Sequence, residues 1–410
     1  MKHVWILNHY AQVPGSAGGT RHYSLARHLL SHGWSSSVIA ASVELNTGLQ
    51  RLANGEIKRL EVFEGVPFLW VRTPTYQGNN SGRIENMLVY TFRVLMPNVT
   101  HDLPRPDIII GSSVHPFAAL AGLLLARLHR VPFVFEVRDL WPQTLIDMGH
   151  IQNRCFIAWL LRQLELLLYR RSSRIVVLLP RAVDYIAPLG IPAERVVWIP
   201  NGVDISAHPA SCPPKRKTND SFVLMYFGAH GQANGLDNIL RAMKLVSEQV
   251  SPGSIKLRMV GDGPLKPDLI RLSKKLALRY VSFEPPIPKK DIPALAAEAD
   301  AFVFNLVNVP VFRYGISSNK LFDFMAGTRP IIFCCDASNN PVEAAHAGIT
   351  VPPGDPGSLA QAILKVSRLS PDARHSMGCS GRRYVEENHD FIHLAGRLAE
   401  ILDACVLENK

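Results

Sequence analysis

The sequence is poor in cysteine and lacks the patterns that define several common protein classes. Only six cysteines occur in 410 residues, and no two have the CxxC spacing of a redox or zinc motif. No uninterrupted apolar run is long enough to span a bilayer, although 47% of the residues are hydrophobic. The first ten residues show neither the apolar core nor the cleavage site of a secretion signal. These absences argue against a disulfide scaffold and predict reduced thiols in a cytoplasmic protein.

Charge of either sign is not concentrated in long blocks. Lys and Arg number 44 against 34 Asp and Glu, which gives a formal net charge of +10, and the densest basic segment is 215–217. Because aromatic residues are not interleaved with the basic ones, nucleic acid is not expected, and the anionic partner should be a phosphorylated substrate or a phospholipid surface. No DxD triplet occurs, and His28 with His32 lacks a nearby third ligand, so no metal site is expected.

Apolar, β-branched runs alternate with helical periodicity along most of the chain, which predicts an α/β fold with parallel sheets. Segment 207–221, rich in Pro, Lys and small polar residues, interrupts this alternation and is interpreted as a linker between two domains. An EGVP turn within 61–71 predicts a β-hairpin in the first domain. Ligands of such sheets bind at the carboxyl ends of strands, so the polar residues that follow strands are the candidates for function.

The most informative segment is 314–330, YGISSNKLFDFMAGTRP, which predicts a loop and a helix before a buried strand. Three residues of helix-capping type open the helix, and a free helix N-terminus suits a phosphate. They are Ser317, Ser318 and Asn319. Lys320 would add a positive charge, and Asp323 would accept a hydrogen bond from a sugar hydroxyl. The segment predicts a site for a diphosphate that carries a sugar; an ordinary capped helix with a surface lysine is the alternative.

Three other loops of the second half place glycine or proline where the backbone could meet a ligand. They follow strands at 227–231, 260–264 and 285–288, and the last is a stiff PPIP segment whose main-chain groups could read a nucleobase edge. One such loop is weak evidence, but several at successive strand ends predict a nucleotide diphosphate site. The residues assigned to that site are His230, Gly261, Asp262, Gly263, Pro286 and Ile287.

Polar residues also follow strands of the first half. Gly18 and Gly19 would let the backbone approach a phosphate or sugar, although an ordinary surface loop is equally possible. His115 follows strand 107–111 and could hydrogen-bond a sugar hydroxyl, with a structural histidine as the alternative. The next strand ends in a polar cluster that predicts a polar-substrate site, or an Arg–Asp pair that holds the loop. This cluster consists of Glu136, Arg138 and Asp139.

Segment 153–171 predicts a helix that is apolar on two sides. The broader face is expected to pack on the sheet. It carries Phe156, Ile157, Leu160, Leu161, Leu164, Leu167 and Leu168. A second stripe, Trp159 and Leu166 flanked by Arg162 and Arg170, suggests contact with anionic lipid, and burial by a neighbouring helix is the alternative. Segment 83–96 allows the same two interpretations, contact with anionic lipid or burial by a neighbouring helix.

Taken together, these residues resemble the retaining glycosyltransferases of family 4, which have the GT-B fold of two Rossmann-like domains facing a central cleft. The similar segments occur in family order over nearly the whole chain. They are Gly18-Gly19, His115-Pro116, PNGVD at 200–204, GLD at 235–237, GDGP at 261–264, the segment 314–330, VPPGDP at 351–356 and GRRYV at 381–385. EVRDLWP and YGISSNKLFDFMAG are similar to a subgroup typified by a fucosamine transferase, which builds bacterial surface polysaccharides on a lipid carrier.

The resemblance implies an acceptor-binding domain over 1–206, a donor-binding domain over 207–387 and a last helix, 388–410, that crosses back onto the first domain. The implied reaction moves a sugar, expected to be an N-acetylated amino sugar, from UDP-sugar to a polyprenyl-diphosphate-linked acceptor in O-antigen or capsule synthesis. It retains the anomeric configuration and needs no metal or other cofactor. The expected location is cytoplasmic, peripheral on the inner face of the membrane.

Roles follow for the candidate residues under this resemblance. His115, Lys320 and Asp139 are assigned to catalysis, and Glu136 with Arg138 to the acceptor. The donor-binding set is Gly18, Gly19, His230, Gly261, Asp262, Gly263, Pro286, Ile287, Ser317, Ser318, Asn319 and Asp323.

The chain departs from the family at four positions of the donor domain. Gly315 stands at the first and Asp323 at the second of two glutamates, and Ala229 and Asn234 replace a common Arg and Lys. The charge that neutralises the diphosphate must then come from elsewhere, with Lys320 and helix N-termini as candidates. Two rival functions remain open: a nucleotide-sugar 2-epimerase of the same fold, and a non-catalytic scaffold at the membrane.

Overall fold

Two sheets, each with its own set of helices, make up the protein in its computed structural model. The structure describes residues 1–16, 18–45, 48–76, 78, 81–113, 115–208 and 221–409. The chain divides into unit 1, Met1–Pro200 with Phe391–Lys410, and unit 2, Asn201–Asp390. Most of the predicted linker, residues 209–220, lies outside the described residues.

Unit 1 is built on eight strands. They are β1 (Lys2–Leu7), β2 (Trp34–Ala41), β3 (Lys58–Phe63), β4 (Val66–Val71), β5 (Ile108–Ser113), β6 (Phe133–Val137), β7 (Arg174–Val177) and β8 (Val196–Trp198). They form one sheet in the order β3-β4-β2-β1-β5-β6-β7-β8. Neighbouring strands are parallel except β3 and β4, which form an antiparallel pair as the hairpin prediction required. The central strands β1, β2, β5 and β6 are almost wholly buried because helices cover both faces.

Helices cover this sheet on two sides. They are α1 (Arg21–Leu29), α2 (Ser81–Val94), α3 (Pro116–His129), α4 (Gln143–Asp147), α5 (Phe156–Arg171), α6 (Val183–Ile186) and, from the end of the chain, α14 (Phe391–Glu408). The helices α1 and α14 pack together and share one apolar core with the sheet. No residue of α2, α3 or α5 belongs to that core; α2 packs on α3 and α3 on α5. Right-handed crossovers place these three helices on the opposite face.

The orientation of α5 differs from the sequence prediction. Its buried face consists of Ala158, Leu161, Glu165, Leu168 and Tyr169. The prediction that the broad apolar face packs on the sheet is therefore wrong for four residues, which are exposed. They are Phe156, Ile157, Leu160 and Leu167. The hydrophobic periodicity of α5 did not indicate which face is buried, because apolar residues occur on most sides of the helix and the buried face includes a carboxyl group.

Unit 2 contains six strands, all parallel. They are β9 (Phe222–Phe227), β10 (Ile255–Val260), β11 (Val281–Glu284), β12 (Ala301–Asn305), β13 (Ile331–Cys334) and β14 (Gly348–Val351), in the order β11-β10-β9-β12-β13-β14. The edge strand β14 was not predicted, because only one of its four residues is buried. Only glycine fits at position 348 of this strand, because a Cβ atom there would stand 1.8 Å from the Ile331 carbonyl oxygen.

Seven helices complete the described part of unit 2. They are α7 (Leu236–Ser247), α8 (Lys266–Lys275), α9 (Ile292–Ala297), α10 (Asn319–Ala326), α11 (Pro341–Ala344), α12 (Pro356–Ser367) and α13 (Pro371–Asn388). They enclose two apolar cores, one on each side of the sheet. In the described ranges of the whole chain, no helix combines the length and the hydropathy needed to cross a bilayer.

Candidate active site

The N-terminus of α10 carries a lysine without a counter-ion. Ser318 occupies the N-cap position, and within the described residues no side-chain hydrogen bond caps the helix, so the alternative of an ordinary capped helix is not observed. The Lys320 ammonium donates to the Tyr226 hydroxyl at 3.1 Å and to the Asn234 amide oxygen. Among the described residues no carboxylate forms an ion pair with it, and desolvation lowers its pKa to about 7. A partly enclosed ammonium beside uncapped backbone N–H groups favours an anionic ligand.

The loop before α10 is fixed by the segment that opens unit 2. The backbone N–H of Asn201 donates to the Ser317 hydroxyl at 2.7 Å, and its side-chain amide donates to the Ser317 carbonyl at 2.5 Å. His389 contacts the Asn201 carbonyl at 3.1 Å through Nδ1. Ser317 therefore anchors the loop. Its predicted contact with the donor stays a prediction, as do those of Ser318 and Asn319.

Asp323 lies one turn into α10 and is not free. The Lys289 ammonium stands 2.5 Å from each of its two carboxylate oxygens, and the exposed fraction is 6% for the Asp323 side chain and 21% for Lys289. The sequence analysis expected Asp323 to accept from a sugar hydroxyl but did not identify Lys289. The only available signal was a Lys pair directly after the stiff PPIP segment.

The loops after β9 and β10 approach each other closely, and glycines in them make this approach possible. A Cβ atom on Gly261 would lie 2.0 Å from the Gly228 carbonyl oxygen, and one on Gly263 would lie 2.7 Å from the His230 carbonyl. Both glycines have positive φ, at 140° and 157°. Packing between the loops thus explains these glycines without a ligand, and their predicted contact with a nucleotide stays a prediction.

The remaining donor candidates of unit 2 differ in exposure. His230 is fully buried, neither ring nitrogen has a hydrogen-bond partner within the described residues, and desolvation lowers its pKa to about 4. Asp262 and Pro286 are exposed, and Ile287 is half-buried. The neutral His230 ring next to the Gly228 loop can offer one donor and one acceptor to a ligand or water.

The departures from the family have local explanations. Gly315 has φ 106°, a conformation that strains other residues and therefore disfavours glutamate there. Asn234 holds the Lys320 ammonium through its amide oxygen and donates through its amide nitrogen to the Ala229 carbonyl at 2.8 Å. Lys320 thus stands beside the two positions where the family carries basic residues.

In unit 1, His115 has a structural role at the start of α3. It is fully buried and caps α3, since its Nδ1 accepts from the Ala118 N–H at 3.4 Å. Its Nε2 must then carry the proton and donates to Nδ1 of His9 at 2.6 Å. Desolvation lowers the pKa of both rings, to about 3 for His9, so the pair is neutral. The sequence analysis missed His9, because only the fold brings it to His115.

Glu136 is the centre of a buried network. Its carboxylate accepts from Arg21 at 2.9 Å, from Ser112 at 2.5 Å and contacts His22 at 2.6 Å. Burial alone would raise the pKa of Glu136, but Arg21 and His22 hold it well below its ordinary value. Arg21 also donates to the carbonyls of Ile199 and Pro200. This network accounts for Glu136 without an acceptor, so the acceptor role stays a prediction.

The other unit 1 candidates are accessible. The Arg138 side chain is half-buried, and its buried Nε has no hydrogen-bond partner within the described residues. Asp139 and Gly18 are exposed, and Gly19 is half-buried. The expected Arg138–Asp139 ion pair is not observed. Arg138 therefore offers an unused donor at the carboxyl end of β6.

Unit 1 also exposes an apolar surface, here called the three-helix face. It is formed by outward side chains of α2, α3 and α5. They are Ile84, Leu88, Phe92, Leu124, Leu128, Phe156, Ile157, Trp159, Leu160 and Leu167. Trp159 is 54% exposed and Phe156 73%, so the alternative that a neighbouring helix of this chain buries the Trp159 stripe does not hold for the described residues. Leu166 and Arg162 are half-buried and Arg170 is exposed.

Within the described ranges, no group of three or more His, Cys, Asp or Glu side chains lies close enough together to hold a metal ion.

The sequence matches two known families, one in each half. Residues 16–202 match the glycosyl transferase 4-like domain, and residues 221–368 match glycosyl transferases group 1. A probable glycosyltransferase, WbjE of Pseudomonas aeruginosa, is 24% identical over 346 residues, which span 80% of this chain and 82% of WbjE.

Solved structures similar to this chain share its fold at low sequence identity. Sucrose-phosphate synthase of Thermosynechococcus elongatus has a TM-score of 0.77 at 15% identity, covering all of both chains. HepE of Anabaena, solved with UDP and glucose, has a TM-score of 0.67 at 16% identity and covers 98% of this chain and all of its own. WaaG, a glycosyltransferase involved in lipopolysaccharide biosynthesis, has a TM-score of 0.67 at 16% identity, covering 98% and 99%.

Proposed function

We propose that this chain, a glycosyltransferase with the GT-B fold, transfers a sugar from UDP-sugar to a lipid-linked saccharide. The observation that carries the proposal is Lys320, a partly enclosed ammonium without a carboxylate partner at the uncapped start of α10. The negative charge of a diphosphate would balance the Lys320 ammonium and the partial positive charge at the start of α10. HepE, with the same fold, was solved with UDP and glucose, which supports UDP as the nucleotide.

The proposed reaction needs charge stabilisation more than covalent help. The bond between the anomeric carbon and the β-phosphate oxygen breaks, the acceptor oxygen bonds to that carbon, and the acceptor hydroxyl loses its proton. Negative charge grows on the leaving UDP, and Lys320 with the N–H groups of α10 would stabilise it without a metal. We assign the acceptor proton to Asp139, which follows the carboxyl end of β6; desolvation raises the pKa of its carboxyl group, and Arg138 opposes this shift. The anomeric configuration is proposed to be retained.

The acceptor is proposed to bind unit 1 through its diphosphate. Arg138 offers a buried Nε donor without a partner in the described structure. A charged donor of this kind suits a phosphate oxygen of a polyprenyl-diphosphate carrier. WaaG is involved in lipopolysaccharide biosynthesis, which supports a place in surface polysaccharide synthesis. We further propose O-antigen or capsule as the product and an N-acetylated amino sugar as the transferred group, on the resemblance of the sequence alone.

A lipid-linked acceptor would bring the enzyme to a membrane, and the three-helix face fits that partner. Its apolar side chains stand among basic residues of the same helices. They are Arg83, Arg93, Arg127, Arg162, Arg170 and Arg171. An apolar surface with a basic surround suits an anionic bilayer, and the net charge of +10 adds to the attraction. We propose peripheral binding at the cytoplasmic face of the membrane.

The test is UDP binding and sugar transfer with a Lys320→Ala variant. We expect UDP affinity to fall at least ten-fold, because a charge-assisted contact worth about 1.5–3 kcal/mol is removed. Transfer from UDP-sugar should fall further, since charge on UDP grows during the reaction. Equal UDP affinity of wild type and variant would rule the site out.

The same assay separates the rival functions. An epimerase would convert UDP-sugar without an acceptor, and a scaffold would bind UDP without turnover. Consumption of UDP-sugar that depends on acceptor contradicts both.

A further inference from the structure

The Lys289–Asp323 pair lies about one helical turn beyond Lys320 along α10 and has no role in the proposed donor site so far. Lys289 comes from the loop after β11, and Asp323 lies three residues after Lys320, on the same side of α10. The ion pair is mostly buried, with both Asp323 oxygens at 2.5 Å from the ammonium. Buried ion pairs contribute little net stability, so stability alone is a poor reason for placing one here.

The Lys289 ammonium has a donor to spare. An ammonium group has three N–H donors, and Asp323 accepts from two of them. Within the described residues no third acceptor contacts it. Lys320 is in the same state, with Tyr226 and Asn234 as its two acceptors. Lys320, in the first turn of α10, and Lys289, paired with Asp323 one turn later, therefore each retain one unused N–H.

Charge counting shows why a second cation is needed. A nucleoside diphosphate carries at least two negative charges, and Lys320 supplies one positive charge. The side chains that hold Lys320, Tyr226 and Asn234, are neutral and add no positive charge. Asp323 would repel the diphosphate if it were not neutralised, and Lys289 both neutralises it and adds a donor.

We propose that Lys289 is a second cation of the donor site, positioned by Asp323 so that its remaining N–H binds a diphosphate oxygen. This inference rests on the proposed function, since it assumes that the donor is a nucleoside diphosphate. It assigns Asp323 a positioning role, in place of the direct contact with a sugar hydroxyl that the sequence suggested.

The experiment compares UDP and uridine binding by calorimetry, with uridine measured by displacement of UDP where it is weak. Lys289→Ala alone would leave a buried carboxylate unpaired and risks unfolding, so the informative pair is Asp323→Asn against Lys289→Ala/Asp323→Asn. Lys290→Ala, which removes the exposed neighbouring lysine, is the matched control. We expect the double variant to bind UDP about ten-fold more weakly than Asp323→Asn, with equal uridine affinity, and the control to match wild type.

Two results would overturn the inference. One is UDP affinities of the double and single variants within two-fold of each other. The other is a loss of uridine affinity as large as the loss for UDP, which would place Lys289 in a structural or ribose role. Failure of the proposed function is distinguishable: wild type would then not bind UDP, or Lys320→Ala would not weaken it, whatever the Lys289 variants do.

Discussion

At the scale of single residues, the proposed function depends on charged side chains that are buried or partly enclosed. Lys320 is held by neutral acceptors, whereas Lys289 is paired with Asp323 and Arg21 with Glu136. Sequence alone identified Lys320, because a lysine after capping-type residues is a local pattern. It missed Lys289 and Arg21, because their partners lie 34 and 115 residues away and only the fold brings them together.

The low pKa of Lys320 predicts proton uptake on UDP binding. The free ammonium has a pKa of about 7, and contact with a diphosphate would raise it. Above pH 8, where the free group is mostly neutral and UDP is fully ionised, each binding event should take up close to one proton, and affinity should fall as pH rises. Calorimetry at pH 8.5 in two buffers of different ionisation enthalpy measures this uptake. Lys320→Met should bind weakly with no uptake; uptake that persists in this variant would contradict the assignment.

His115 is expected to act in turnover and not in UDP binding. It lies in unit 1, whereas the proposed contacts of Lys320 with the diphosphate lie in unit 2. His115→Ala should therefore lower kcat at least ten-fold with little change in UDP affinity, alongside a stability loss of about 1 kcal/mol from the missing helix cap. His115→Asn is the matched control, because asparagine is a good N-cap without an imidazole. Full turnover in the asparagine variant would return His115 to a purely structural role.

At the scale of elements, the alternation of apolar runs with helical periodicity was enough to predict the central strands and most long helices. Strand β9 and the apolar parts of β1 (4–7) and β5 (108–110) are buried on both faces and form continuous apolar runs, and α10 was predicted with its observed bounds. Prediction failed where the local pattern was short or symmetric. The edge strand β14 has four residues and one buried side chain, and α5 is apolar on both sides, so its orientation depended on contacts with β6 and α3.

The helix α5 also buries a carboxylate, which predicts a pH-dependent stability. Burial raises the pKa of Glu165 to about 8, although the Tyr169 and Tyr185 hydroxyls donate to it at 2.8 and 3.1 Å. Because the folded pKa exceeds the unfolded value of 4.5, the folded state binds this proton more tightly. The resulting stability is fully present below pH 4.5 and is lost as pH rises towards 8.

Glu165→Gln should remove this dependence. Between pH 5 and 8 wild type is expected to lose stability relative to the variant, by at most about 1.4 kcal/mol per pH unit. Urea denaturation at several pH values measures the difference. Glu85→Gln, an exposed glutamate of α2, is the control and should follow wild type. Parallel pH profiles of Glu165→Gln and wild type would show that Glu165 is ionised in the folded protein.

At the scale of the whole molecule, the two units differ in what they expose. Apart from Tyr280, every large hydrophobic side chain that is exposed in the described chain belongs to unit 1. Ten of these form the three-helix face, while the proposed nucleotide contacts of Lys320 lie in unit 2. Such a division suits an enzyme that takes one substrate from water and the other from a bilayer. The sequence predicted the amphipathic character of α5 and α2, but only the packing of α3 between them defines a continuous face.

This asymmetry predicts binding to anionic vesicles through unit 1. Wild type should sediment with vesicles that contain an anionic phospholipid, and binding should weaken with salt because each Arg near the surface contributes about 1 kcal/mol that is screened. Phe156→Glu/Trp159→Glu should release the protein without unfolding it, since both side chains are more than half exposed. Tyr280→Glu changes an aromatic of unit 2 that is 42% exposed, and this control should bind like wild type.

The double variant should keep its transfer rate on a short-chain, water-soluble acceptor and lose it on acceptor embedded in vesicles. Equal vesicle binding of the double variant and wild type would separate the three-helix face from the membrane, and the acceptor would then have to reach unit 1 by another route.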